Sequence, residues 1–581
     1  MNIFYRKGMV FLMKKLQQFN VMAFTFDRLK NNNFNLNITT LEAERNEELI
    51  ALADNECLRA IRRITNHPFN VDGENKLSNL FLERKKITKQ KNSLENRKRI
   101  TDINNEIRDL LYIPEYVCVQ FPNKMKKSDY NKINKNGFFI NGKKYKWLLC
   151  GAGHQRTNRA FYCEISIFDE LYEHLNCGAR KIPILLPKYN AYIALSSSAS
   201  SVVSAPRVCV IPDCEIKMTK KVDWVEQKSE DEYSINRIDK ELGFNLFDGM
   251  GVVSPEMASR WCQELDISYL PSCWGIRSAF VKGMVCVIDF HKFSEEVAHS
   301  KIIKDVYGNE HNVDDIDMII TKSQFKLWNA YDNWEQYLEN QQKYGWSWGI
   351  TKVSPEKDVD WVLANYQYIQ VLETSNEDIK ELCSETEQWI KNISTGNDYG
   401  FKLLYLLGKL AKNLDSNNLW NRVQDNSIKS LLLEQYLVSD DYLTTRVVNS
   451  IRKKIKQTML GKIIIRGNYQ IRISDPYALL EWAFGMEVKG LLNEGEDYMW
   501  YWNQLGVEEV VAMRSPLTWK SEAHILKLMN TEKMKEWYKY LTSGIVYNVW
   551  GCDCMLESDG DFDLDSSCTT NNKIFLKGVI K

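Results

Sequence analysis

Net charge is missing from this chain: across 581 residues, 76 Lys and Arg balance 76 Asp and Glu. There is no global pull toward nucleic acid or an anionic membrane, although overall balance does not exclude a local basic channel. Long apolar runs are missing too. No segment reaches the ~20 apolar residues that a membrane span needs. The opening "MNIFYRKGMVFLMKK" interrupts its apolar residues with Arg6, Lys7, Lys14 and Lys15, unlike a secretion signal. The 14 cysteines lack framework spacing, and the nearest pairs, Cys552/Cys554 and Cys209/Cys214, lack the second pair that a zinc-thiolate site needs. Free thiols in a reducing compartment follow, and with them the expectation of a cytoplasmic protein without membrane attachment. Histidine is down to seven residues. His154 and His524 are available as proton donors, but nothing around them singles them out.

What is present is core material. Hydrophobic residues make up 44% and aromatic residues 12% of the chain, enough for several buried cores and three or more domains. "TTLEAERNEELIALADNECLRAIRRI" opens with a capping box, Thr39 to Glu42, and repeats apolar residues at Leu49, Ala53, Cys57 and Ile61, which predicts one amphipathic helix. The next run, between Glu83 and Arg99, holds eight Lys or Arg against two Glu. It reads first as a solvated helix face and second as a nucleic-acid contact. From about 116 to 289 short β-rich segments dominate, a helical block covers about 376 to 458, and "GKIIIRGNYQIRISDP" returns to strand alternation. These shifts predict an α+β chain. Its parts are a helical N-terminal region (1–140), a mixed region (141–200), a first β-body (201–335), a helical connector (336–460) and a second β-body (461–581).

The chemically informative stretch is "MLESDGDFDLD", which sets Glu557, Asp559, Asp561, Asp563 and Asp565 at alternate positions. Residues two apart in a strand share a face but lie about 7 Å apart, so their carboxylates converge on one ion only if the backbone bends. Gly560 offers that bend, because glycine takes positive φ at little cost. The favoured triplet is therefore Glu557, Asp559 and Asp561, holding Mg²⁺, an ion that takes a few carboxylates together with water and phosphate oxygens. A second register, Asp561 to Asp565, puts Leu564 at the bend and ranks lower. An EF-hand loop counted from Asp561 fails, because position six is Ser566 and position twelve is Asn572. A plain acidic surface loop is the competing reading.

Several segments decide between these. "VVAMRSPLTWKSEAHILKL" followed by the acidic stretch resembles the catalytic barrel of cell-type RNA-dependent RNA polymerases. "FDGMGVVSPEMASRW" and "PSCWGIRSAFVKGMVCVIDF" are similar to earlier segments of that family. "GAGHQRTNRAFYCEI", "SSSASSVVSAPRVCVIPDC", "YGWSWGITKVSPEKD" and "GNYQIRISDPYALLEWAFG" resemble its bacteriophage branch. The resemblance covers roughly residues 140 to 575. It implies two double-psi β-barrels facing each other across an active site. It also implies a nucleotidyltransferase that copies single-stranded RNA or DNA into RNA from nucleoside triphosphates with Mg²⁺, in an infected bacterial cell. At the first acidic position the family usually has Asp, and here stands Glu557. The extra methylene moves the carboxylate by about 1 Å, a misplacement that can cost ~10²-fold in rate.

The resemblance also suggests roles for basic residues. Lys282, in "VKGMV", matches a Lys-Gly of the first barrel and would meet the triphosphate, with Arg277 beside it. Arg514 would contact the incoming nucleotide, and Lys322 and Lys326 the template or product backbone. Without the resemblance each reads as a surface base, a strand-end cap or a helix face. Only twenty residues follow Asp561. The expectation is thus an incomplete second barrel and a chain weakly active or inactive alone, being either a fragment or completed by a separate chain. The alternative function is an inactive relative that binds nucleic acid or a partner polymerase. A calcium- or magnesium-binding structural protein is a distant third.

Overall fold

The computed structural model describes residues 16–90, 93–395, 399–406, 425–551, 553–557 and 560–580. Its N-terminal part is built on a seven-stranded mixed sheet. In spatial order the strands are Asn35–Leu36, Phe138–Ile140, Lys143–Leu149, Arg159–Glu164, Tyr112–Gln120, Gln18–Thr25 and Leu49–Ala53. This corrects the expectation of a helical region ending at 140, since the sheet runs across that boundary. The capping box is present, with the Glu42 N–H donating to the Thr39 hydroxyl at 3.2 Å and the Thr39 N–H to the Glu42 carboxylate at 2.8 Å. The helix it starts ends at Arg45, however, and Glu47 takes φ 57°. Leu49–Ala53 then pairs with Gln18–Met22, and Asn55 caps a new helix, Glu56–Ile64. The apolar spacing thus came from a strand followed by a helix. Two further helices, Gly73–Thr88 and Leu94–Leu111, form an antiparallel hairpin beside this sheet.

The second body is another seven-stranded sheet, ordered Ser201–Val203, Trp348–Val353, Cys273–Ser278, Val281–Val287, Met250–Val253, Met318–Thr321 and Val208–Ile211. Its last strand in sequence reaches Val353, past the expected boundary at 335. The Cys273–Ser278 and Val281–Val287 strands are antiparallel, and their register sets Arg277 opposite Lys282. Helices Asn376–Thr395, Tyr399–Leu406, Asn426–Leu433 and Asp441–Thr458 form the connector. Part of the apolar "GFKLLYLLGKLAKNL" segment lies outside the described residues. Among the described residues no helix is long and apolar enough to cross a membrane.

The third body is a closed barrel of six strands, in the order Asn468–Ser474, Ile545–Tyr547, Glu496–Tyr498, Ala523–Leu528, Glu509–Met513 and Ser566–Thr570. The expectation of an open barrel is therefore corrected. Ser566–Thr570 pairs with Asn468–Ile471 on one side and Val511–Met513 on the other. The reason for expecting a separate chain to complete the barrel goes with it. The closing strand is polar because the barrel interior is polar. The Thr569 hydroxyl donates to Asn468 Oδ1 at 2.6 Å and accepts from the Trp502 indole N–H at 2.8 Å. Central sheet and barrel share one core, in which Met250, Val252 and Cys286 pack with Ile471, Ile473 and Ile545. The acidic stretch lies at this seam, with Phe562 buried in the same core, a burial that contributes about 2 kcal/mol.

Candidate active site

The loop carrying the acids leaves the barrel after Ile545–Tyr547 and returns to it at Ser566. Two backbone bonds hold it from opposite sides. The Phe562 N–H donates to the Asp248 carbonyl at 3.0 Å, and the Arg472 N–H donates to the Asp565 carbonyl at 3.0 Å. The first tie reaches the central sheet and the second the barrel, so the loop is fixed between the two. Gly249 makes the close approach possible. Its φ is 79°, and a Cβ there would lie 3.0 Å from the Asp563 Cβ. Among the described residues of the loop, the left-handed φ is at Leu564, 85°, where the sequence suggested Gly560. Gly560 serves close approach instead, because a Cβ there would run into the Arg472 guanidinium.

That bend gathers Asp561, Asp563 and Asp565, each with one carboxylate oxygen within 4.8 Å of the others. They belong to the register ranked second from sequence. Burial, with the charges of Asp563 and Asp565, raises Asp561 to about 7, and Lys282 opposes the rise. Glu557 is elsewhere. It is fully buried, accepts from the Tyr547 hydroxyl at 2.7 Å and from the Ser567 hydroxyl, and lies 3.8 Å from Arg472 Nε. Asp559 lies outside the described residues.

Basic groups face the three acids from both bodies. Lys282 forms an ion pair with Asp563. Arg514 donates to Asp565 Oδ2 at 2.6 Å and to the Glu557 carbonyl at 3.4 Å. Arg277 is pushed down to about 10 by burial, against the pull of Asp563. Its Nη1 donates to the Ile276 carbonyl at 2.8 Å, and its buried Nε has no partner among the described residues. Burial also lowers Lys326, which feels Asp248, Asp563 and Asp561 as well as Lys282. Lys322 diverges from this group, with its Nζ 3.7 Å from Asp213 Oδ2. Three bases from the central sheet, Lys282, Arg277 and Lys326, therefore sit within electrostatic reach of the acids, and Arg514 reaches them from the barrel.

The two histidines fall differently. His524 Nε2 is 3.7 Å from Glu557 and 4.0 Å from Asp553, inside the barrel and beside the loop. His154 packs edge-on to Phe161 in the N-terminal sheet and takes no part. Sequence reading missed Arg472, which is 0% exposed and lies beneath the loop near the rings of Tyr547 and Phe562. The signal was available. Asn468, Gln470, Arg472 and Ser474 alternate with Tyr469, Ile471 and Ile473, and all four are buried, so the polar face of this strand turns inward. Because Glu557 is bonded at both oxygens in this interior, Glu557→Asp should lose one or both bonds and cost about 1–3 kcal/mol of stability. Thermal melting checks this, and a variant with raised activity and unchanged stability would return Glu557 to the metal.

Comparison with known proteins agrees with this architecture. A family model described as RNA dependent RNA polymerase matches residues 81–573. The DNA-directed RNA polymerase YonO of Bacillus phage SPbeta is 29% identical over 447 residues, which is 74% of this chain and 49% of that protein. The solved structure of RNA dependent RNA polymerase QDE-1 from Thielavia terrestris superposes with a TM-score of 0.51 at 14% identity, covering 80% of this chain and 49% of that one. This chain thus spans about half the length of each of these two proteins. With a family match across most of its length, the chain belongs to the RNA dependent RNA polymerase family.

Proposed function

We propose that this chain carries out template-directed RNA synthesis, transferring nucleotides from nucleoside triphosphates to a 3′-hydroxyl, with Mg²⁺ bound by Asp561, Asp563 and Asp565. The central sheet and the closed barrel correspond on this reading to the two double-psi β-barrels of the superfamily. One observation carries it: three converging carboxylates on a loop clamped between two β-bodies, faced by bases from both.

The residues fit the ion. Three hard oxygen donors, half-buried and crowded enough to raise Asp561, form a site whose mutual repulsion a divalent cation relieves. Bound Mg²⁺ would supply Lewis-acid activation of the attacking hydroxyl and neutralise charge on the triphosphate. The chain does the rest. Arg277, a half-buried side chain whose buried Nε–H has no partner among the described residues, and Lys282 bind phosphate oxygens as negative charge grows toward pyrophosphate release. Lys326 adds charge from the same side, Arg514 orients Asp565, and Lys322 lies farther out, on the path of a template or product backbone.

Protons compete with the ion for Asp561, so Mg²⁺ affinity should rise with pH up to about 7 and flatten above it. Below that point the loss should approach about tenfold per pH unit. Calorimetric titration at pH 6, 7 and 8 reads this, and equal affinity at all three would contradict it. The function itself is tested by incubating the protein with labelled nucleoside triphosphates, Mg²⁺ and either single-stranded RNA or single-stranded DNA. Elongated product on at least one template, abolished by a chelator, is expected. The same assay decides the template.

A further inference from the structure

The basic run between Glu83 and Arg99 takes no part in the site above. Its described residues lie in the far half of the helical hairpin Gly73–Thr88 and Leu94–Leu111, whose buried contacts, Leu77, Leu80, Ile103 and Leu110, are concentrated in the near half. Arg99 is satisfied between Glu83 and Glu106, at 2.7 Å and 2.9 Å, which uses one of the run's two acids. Lys85, Lys86, Lys89 and Lys98 are exposed and form no ion pair among the described residues. Lys85 in the last turn of the first helix and Lys89 at its C-cap are four residues apart, a spacing at which like charges repel. A merely solvated face would intersperse acids, and this chain has as many acids as bases to draw on. Beside the lysines, Phe81 is 42% exposed with the Arg84 guanidinium 5.1 Å from its ring centroid, an aromatic and a cation of the kind on which bases settle.

We infer that this hairpin is a second nucleic-acid contact, gripping the phosphate backbone of a template or product strand away from the metal loop. The inference rests on the polymerase reading. Exposed Leu82 and Leu94 next to the lysines make an anionic membrane the competing partner.

The test uses the full chain and a quadruple variant, Lys85→Gln, Lys86→Gln, Lys89→Gln and Lys98→Gln, binding labelled single-stranded RNA and DNA across a salt series. The wild type should bind, and the variant should bind more weakly, with the slope of log affinity against log salt reduced by about 3, at ~0.7 per lost phosphate contact. If the quadruple variant does not fold, Lys85→Gln with Lys89→Gln should give about half that change. An unchanged slope overturns the inference while leaving the polymerase reading intact. Intact RNA binding with lost binding to phosphatidylserine vesicles overturns it in favour of a membrane. A wild type that binds neither RNA nor DNA and extends no product overturns the polymerase reading as well.

Discussion

Asp561→Asn should abolish RNA synthesis, lowering the rate by at least ~10³-fold, while leaving a folded protein. The loss follows from removing one of three anionic oxygen donors and its share of the charge that balances a divalent ion. A 10³-fold fall is about 4 kcal/mol of transition-state stabilisation. Stability should move the other way. Burial and the neighbouring acids raise the Asp561 carboxyl above its unfolded value, so the folded state binds the proton more tightly than the unfolded chain does. The metal-free wild type therefore loses stability as pH rises from the ordinary carboxylate range to about 7. The asparagine variant escapes that loss. In chelator at pH 8 it should melt above the wild type, and the gap should close below about pH 4. Retained activity, or a lower melting temperature at pH 8, would contradict the assignment.

Lys282→Ala should lower kcat/KM for nucleoside triphosphates by on the order of 2–4 kcal/mol, with template affinity nearly unchanged. Lys282 is paired with Asp563 and lies opposite Arg277 across two adjacent strands. It is therefore placed to exchange an acid partner for a phosphate one as substrate enters. Lys282 also occupies Asp563 and opposes the charge of Asp561, so without it the acids attract a divalent cation more strongly, and the variant should need less Mg²⁺ for half-maximal rate. Steady-state kinetics at several Mg²⁺ concentrations separate the two effects. An equal loss in template binding would move Lys282 from the triphosphate to the template path.

The acidic stretch, the capping box at Thr39 and the strands after residue 461 were legible because each is a local pattern. The ligand register was not. Leu564 adopts the bend because tertiary contacts hold it there: Gly275 leaves the space its side chain fills, and the Phe562 N–H is tied to the Asp248 carbonyl. A propensity argument about Gly560 could not see a clamp contributed by residues 300 positions away in sequence. Closure of the barrel was hidden for a related reason. "SSCTT" carries no apolar face because its hydroxyls suit a polar interior, and only the buried polar face of "NYQIRIS" hints that such an interior exists. The N-terminal sheet was missed because Leu49–Ala53 and Glu56–Ile64 together mimic one helical period. The reading as an inactive relative rested on Glu557 and on an open barrel. Glu557 lies inside the barrel, bonded to Tyr547 and Ser567, and the barrel is closed.

The central claim is that Asp561, Asp563 and Asp565, held against the central sheet, bind the ion on which synthesis depends. Replacing Mg²⁺ by Fe²⁺ and adding peroxide generates hydroxyl radicals at the bound metal, which cut the nearest backbone. The expected result is cleavage at residues 561–565 and at Asp248–Gly249, suppressed by excess Mg²⁺ and absent in Asp561→Asn. Cuts clustered elsewhere in the chain, or cuts at 561–565 that survive in Asp561→Asn, would contradict it.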